Sequence, residues 1–315
     1  MPSSSTATTW WCGDPMIRRG IPVLALLLVL GCAATSPNAP ATTASKTAAR
    51  APDVVVGRSV PRESSQSQWL PIVRNGEEGT IDGVPLISVT GPDVLVDGIA
   101  IGEVASILSG TKTTRIDGLF NALRSRREAW LTTHTGTSWP GVVAFRFGPD
   151  VTAAVVKSVI LTSGYAACPN GSLLVETRGA GQKRVGRLAV DPLMIAAPEE
   201  KILTVEVRKD AFVVTWNESK TAVRAKEIPR NAATESEPLE LPALAAEISS
   251  VWEAAGIHRS PGDKRVDQAI LHVDDAVPYK VFAAVVDAIY APRRTMTLAG
   301  REERVPALNV NLAAN

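Results

Sequence analysis

Apolar and polar residues along this chain fall into two blocks, and each block repeats the same order of short alternating runs and longer helical periods. In the first, Leu86-Ile87-Ser88-Val89-Thr90 and Val94-Leu95-Val96 have the pattern of paired strands, with the turn former Gly91-Pro92-Asp93 between them. In the second, Ile202-Leu203-Thr204-Val205-Glu206-Val207 and Phe212-Val213-Val214 flank Lys209-Asp210. An amphipathic helix follows in each block. Ile116, Leu119, Phe120, Leu123 and Trp130 recur at helical spacing in one, and Leu241, Leu244, Ile248, Val251 and Trp252 in the other. Next come two apolar strands, 142–147 and 268–273, each leading through a polar turn to a largely apolar second helix. Val155, Val159 and Ile160 of the first such helix match Val281, Val285 and Val286 of the second, each 126 residues later. Residues 172–176 and 295–298 are read as the closing strands.

The shared order ββαβαβ predicts an α/β fold of two tandem two-layer sandwiches, residues 84–178 and 201–315, because crossover helices between parallel strands cover one face of a sheet. Residues 179–200 are expected to link them. Gly179-Ala180-Gly181-Gln182-Lys183 lacks the GxxxxGK[ST] spacing of a phosphate loop and reads as a flexible connection.

Ahead of the repeat, Met16-Ile17-Arg18-Arg19-Gly20 supplies a short basic region and Ile21 to Leu30 an apolar run broken by Pro22, the grammar of an export signal. A spanning helix needs about 20 apolar residues, roughly twice this run. The run ends in Val29-Leu30-Gly31-Cys32, which resembles a lipobox; Leu30 departs from the small or β-branched residue usual at its position. Residues 1–31 are therefore expected to be an N-terminal extension and leader, with Met16 an alternative start, and the membrane to be held through lipid on Cys32. Ala33 after the cysteine points to the periplasmic face of the outer membrane rather than the inner. Residues 32–83 are rich in Ala, Thr, Ser and Pro and carry too little apolar surface to offset ordering entropy, so a disordered tether is expected, with Trp69-Leu70-Pro71-Ile72 docking locally.

Composition narrows the chemistry. Of three cysteines, a chain beginning at Cys32 keeps only Cys168 besides it, which excludes an internal disulfide once Cys32 is acylated. His134, His258 and His272 are scattered without ligand spacing, so neither a metal nor another cofactor is expected. Thirty-three basic residues face 32 acidic ones, which leaves no global field for a polyanion. Arg124, Arg126 and Arg127 read as a solvated helix face, and no nucleic-acid partner is expected.

The repeat order, with Leu271-His272-Val273-Asp274-Asp275-Ala276-Val277-Pro278-Tyr279-Lys280-Val281, resembles the periplasmic domain of ExbD/TolR biopolymer transport proteins, where a hydrophobic strand ends in Asp and Pro or Tyr opens the next helix. Phe147-Gly148-Pro149-Asp150-Val151-Thr152 looks like a degenerate copy. The resemblance implies a cell-envelope partner, peptidoglycan or a TonB-like or Tol-like protein, with Asp274, Asp275 and Tyr279 as partner-binding candidates. It also implies that two copies in one chain form a pseudo-dimer, since family members act as dimers. The family's proton-coupling acidic residue has no equivalent in Ile21 to Leu30, so a binding or structural role is expected without the motor. An uncleaved accessory subunit of a transport complex and an enzyme with an interdomain cleft are the alternatives. No His, Ser or Lys constellation repeats around Asp274 and Asp275, which argues against catalysis.

Overall fold

The computed structural model describes residues 69–78, 83–109, 115–179, 182–192, 201–218, 221–230 and 239–313, all within one compact unit, Val55–Asn315. Cys32, the leader and residues 33–68 lie outside the described residues. The fold is mixed α/β, with three sheets and five helices among the described residues.

The first part of the chain contributes β1 (Ile72–Val73), β2 (Glu77–Glu78), β3 (Leu86–Val89), β4 (Asp93–Val96), β5 (Ile99–Glu103), α1 (Val104–Leu108), α2 (Asp117–Thr133), β6 (Val142–Phe147), α3 (Ala153–Tyr165), β7 (Asn170–Gly179), β8 (Gln182–Ala189) and β9 (Asp191–Pro192). The second contributes β10 (Lys201–Val207), β11 (Ala211–Glu218), β12 (Thr221–Pro229), α4 (Pro242–Ala255), β13 (Asp267–Val273), α5 (Tyr279–Ile289), β14 (Arg293–Leu298), β15 (Arg301–Pro306) and β16 (Leu308–Leu312). One sheet runs β2-β8-β7-β6-β3-β4-β5, with β1 also on β7; the other runs β12-β11-β10-β13-β16-β9. In both, a parallel trio (β3-β6-β7, β10-β13-β16) is extended by an antiparallel hairpin.

Four expectations change. Each half carries a third strand, β5 or β12, before its first long helix. In the first half the cause is Asp97-Gly98, whose φ values of 49° and 80° make the two-residue turn that matches strand twist and sends the chain straight back. The expected linker 179–200 contains instead β8, paired antiparallel with β7 along its length, and β9. In the second half Thr295–Leu298 does not close the sheet. It pairs with β15 in a separate ribbon, and β16 takes the place beside β13.

The tether boundary also moves. Residues 69–78 form a strap across both halves, with β1 parallel to β7 and β2 antiparallel to β8. Between these strands the backbone amides of Arg74 and Asn75 donate to the Asp287 carboxylate of α5, and Arg293 donates to the Asn75 carbonyl at 2.7 Å. Burial raises the pKa of Asp287, partly offset by those donors from Asn75 and Arg74. Trp69 meets Tyr279 edge-on, ring centroids 6.2 Å apart. A second crossing lies at residues 189–192, where Tyr290 donates to the Ala189 carbonyl and β9 joins β16.

The predicted helix faces are where packing needs them. Leu119 and Leu123 of α2 and Leu244, Ile248 and Val251 of α4 are buried against the sheets. α3 and α5 are buried nearly all round because they lie between the sheets and each other, and one continuous apolar core runs from Val73 to Leu312.

Gly118 sets how closely α2 approaches β5. A Cβ there would stand 1.9 Å from the Ile101 carbonyl oxygen. Gly→Ala within a helix ordinarily gains about 1 kcal/mol, but overpacking costs about 1–3 kcal/mol and here opposes a rigid backbone. Gly118→Ala is therefore expected to destabilise the protein, read as a lower urea midpoint; a raised midpoint would show that α2 does not sit on β5 this closely.

Candidate functional site

Strands β6 and β13 end side by side in space, and the chain leaving each one turns into α3 or α5. The two turns pair with each other. Ala153 N–H donates to the Val277 carbonyl and Tyr279 N–H to the Val151 carbonyl, both at 2.7 Å; Ala154 donates to the Asp275 carbonyl at 3.1 Å and Lys280 to the Pro149 carbonyl at 3.0 Å. Thr152 and Pro278 form an antiparallel bridge at the centre. Every residue in one set is the counterpart, 126 positions on, of a residue in the other, so the contact is reciprocal about a pseudo-two-fold axis.

The physical need behind it is general. The first amides of a helix have no intrahelical acceptor, and burying them unpaired is costly. At this junction each helix start takes its acceptors from the turn of the other half.

One charged contact breaks the symmetry. Lys157 of α3 is fully buried; its ammonium donates to the Val273 carbonyl at 2.9 Å and ion-pairs with Asp275, whose side chain is 63% exposed. The counterpart of Lys157 is Ala283, and that of Asp275 is Pro149. The key between halves is thus present on one side only.

Asp274 and Asp275 are both exposed at the end of β13. Asp274 lines a cleft of about 220 Å³ with Glu206, Arg208 and His272. Glu206, bonded to Arg208 at 2.6 Å, raises that guanidinium's pKa, with Glu227 and Asp274 adding to the effect. The corresponding ends of β3 and β6 border a more open cleft of about 310 Å³, lined by Thr90, Val104, Leu108, Asp150, Val151 and Val155 among others. The two clefts occupy equivalent topological positions, at the carboxyl ends of adjacent parallel strands, where α/β sheets hold ligands. The first carries charges of both signs, and the second is mainly apolar with Asp150 as its one ionisable lining residue.

Tyr279 is a correction. It is fully buried, its ring 5.0 Å from Phe147 and 6.2 Å from both Phe282 and Trp69, so it holds the halves and the strap together and presents nothing to a partner. Burial also raises its pKa. Cys168 is a buried free thiol, its pKa pushed up by burial. Among the described residues, no group of three or more His, Cys, Asp or Glu side chains is placed to hold a metal ion, and no helix is long and apolar enough to cross a membrane. Lys157 escaped the sequence reading because a lone lysine in an apolar helix carries no sign of its burial.

Removing Asp275 leaves a buried ammonium with one carbonyl. Asp275→Ala is expected to cost about 1–3 kcal/mol, below the range for a fully buried pair because water already reaches the carboxylate, while Asp274→Ala stays within about 0.5 kcal/mol. Equal effects in urea denaturation would remove the special role of the Lys157–Asp275 pair. The Tyr279 hydroxyl is buried without a hydrogen-bond partner. Tyr279→Phe is accordingly expected to be neutral or to stabilise by about 1 kcal/mol; a clear loss in a thermal melt would reveal a partner for that hydroxyl.

No family model matches the chain, and no curated protein matches it.

Proposed function

We propose that this chain is a lipid-anchored binding and structural protein of the cell envelope, made of two copies of a ββαβαβ two-layer unit like the periplasmic domain of ExbD/TolR stators and lacking their proton-coupling helix. The observation that supports it most is the reciprocal junction: residues 149–154 and 275–280 exchange matching hydrogen bonds, as a dimer of one unit would if both copies were written in a single chain. In this reading β5 and β12 are additions at the outer ends of the two sheets.

Lipid on Cys32 holds the protein at the periplasmic face of the outer membrane, and the folded part meets peptidoglycan or a TonB-like or Tol-like protein. Two kinds of surface suit such a partner. β5 and β12 end the strand orders of their sheets and can accept an added strand. The exposed carboxylate of Asp274 lines the charged cleft, and that of Asp275, paired with Lys157, follows it at the junction.

Mass spectrometry of the membrane-extracted protein tests the reading. The expected N-terminus is Cys32 bearing a diacylglyceryl or triacyl modification. An intact leader would instead favour an uncleaved subunit of a transport complex, and cleavage without lipid would remove the anchor.

A further inference from the structure

Residues 129–141 close α2 and lead into β6, and they contain no Asp, Glu, Lys or Arg. They carry two tryptophans, one histidine and five hydroxyl side chains, and every position from Leu131 to Ser138 is exposed. The nearest charged residues in sequence, Arg127 and Glu128, lie on the preceding turn of α2, where Glu128 is paired with Arg124 and Arg127 is close enough to Cys168 to offset part of the burial-driven rise in its pKa.

The rings are set in place. The His134 imidazole lies flat on the Trp130 indole, centroids 4.3 Å apart and planes 4° apart, and Trp139 stands edge-on to the same indole at 5.5 Å. His134 Nδ1 lies 2.9 Å from Thr133 Oγ1 and 3.0 Å from the Trp130 carbonyl, and Trp139 Nε1 donates to the Ala167 carbonyl at 2.9 Å. Gly141, at φ 62°, lets this loop close on the next one: a Cβ there would stand 2.8 Å from Pro169 Cδ. Tyr165, two residues before the carbonyl that holds Trp139, is 56% exposed.

A pre-set aromatic surface whose own residues, 129–141, carry hydroxyls and no Asp, Glu, Lys or Arg complements a particular ligand chemistry. Sugar rings present C–H faces that lie on aromatic rings, and their hydroxyls exchange hydrogen bonds with Thr and Ser side chains. Nucleic acid would call for cations. A protein partner would call for hot-spot rings set in a desolvated pocket, whereas the positions from Leu131 to Ser138 are all exposed. We infer that this end of the first half is a saccharide-binding surface that takes an uncharged oligosaccharide. It lies at the opposite ends of β6 and β7 from the apolar cleft, and it stands independently of the lipid anchor and of the family reading. Fixed rings lose little freedom on binding, which favours weak but real affinity from a shallow surface.

The test is titration of the purified full chain with N-acetylglucosamine oligomers of increasing length, followed by saturation-transfer NMR. Saturable binding with Kd on the order of 1 mM is expected, tightening with length and insensitive to salt. His134→Ala removes the exposed ring, and Thr137→Glu puts a charge into the neutral fringe while sparing every ring. Each is expected to weaken binding about tenfold with an unchanged melting temperature. Absence of saturable binding at any oligomer length, binding that both variants leave intact, or capture of a peptide but no saccharide at these residues would each overturn the inference.

Discussion

The start of a helix has amides with nowhere to go, and in this protein two such starts are buried against each other. Ala153, Ala154, Tyr279 and Lys280 find acceptors in the turn of the opposite half, so α3 and α5 can be sheathed in apolar side chains without orphaned donors at their origins. From this pairing the shared core follows, because helices fixed start to start bring Phe147, Tyr279 and Phe282 into contact. Lys157 then reaches across to the end of β13, where an ammonium without the Val273 carbonyl and Asp275 would have no place in an apolar interior.

The remaining connections reinforce that joint. The strap from Trp69 to Glu78 alternates between halves, pairing with β7, then with α5 through Asp287, then with β8. The crossing at 189–192 does the same from the other side, with Asp191 accepting from the Gly171 amide of one sheet and the Asn309 amide of the other. Burial raises the Asp191 pKa, an effect that these two donors reduce. Two halves stitched at three places make a single body. In such a body a load or a ligand on one half is felt by the other.

Much of this was legible in the residues. The 126-residue spacing of Val155, Val159 and Ile160 to Val281, Val285 and Val286 is the spacing of the hydrogen-bonded pairs, since the same pattern places equivalent turns on both helices. The amphipathic faces of α2 and α4 were readable because each has one wet side. What was lost has physical causes. Asp97-Gly98 was the signal for β5, but short strands on either side of it blurred into one run. Thr295–Leu298 alternates as a strand should, yet alternation does not name a partner, and the hairpin outcompeted the sheet. Averaged composition hid the strap, where Trp69, Ile72 and Val73 sit among polar neighbours. Tyr279 beside two aspartates looked exposed because tertiary burial on the Trp69 side is a long-range event that no local pattern records.

Native-state hydrogen exchange at Ala153, Ala154, Tyr279 and Lys280 tests the central claim most directly, because amides in the first turn of a helix owe their protection to partners outside that helix. If the reciprocal junction holds the halves as one body, all four exchange only through global opening, with the same free energy as core amides of β6 and β13. Rapid exchange at the four while those strands stay protected would mean that the halves part independently, and the junction would not be the joint on which the structure depends.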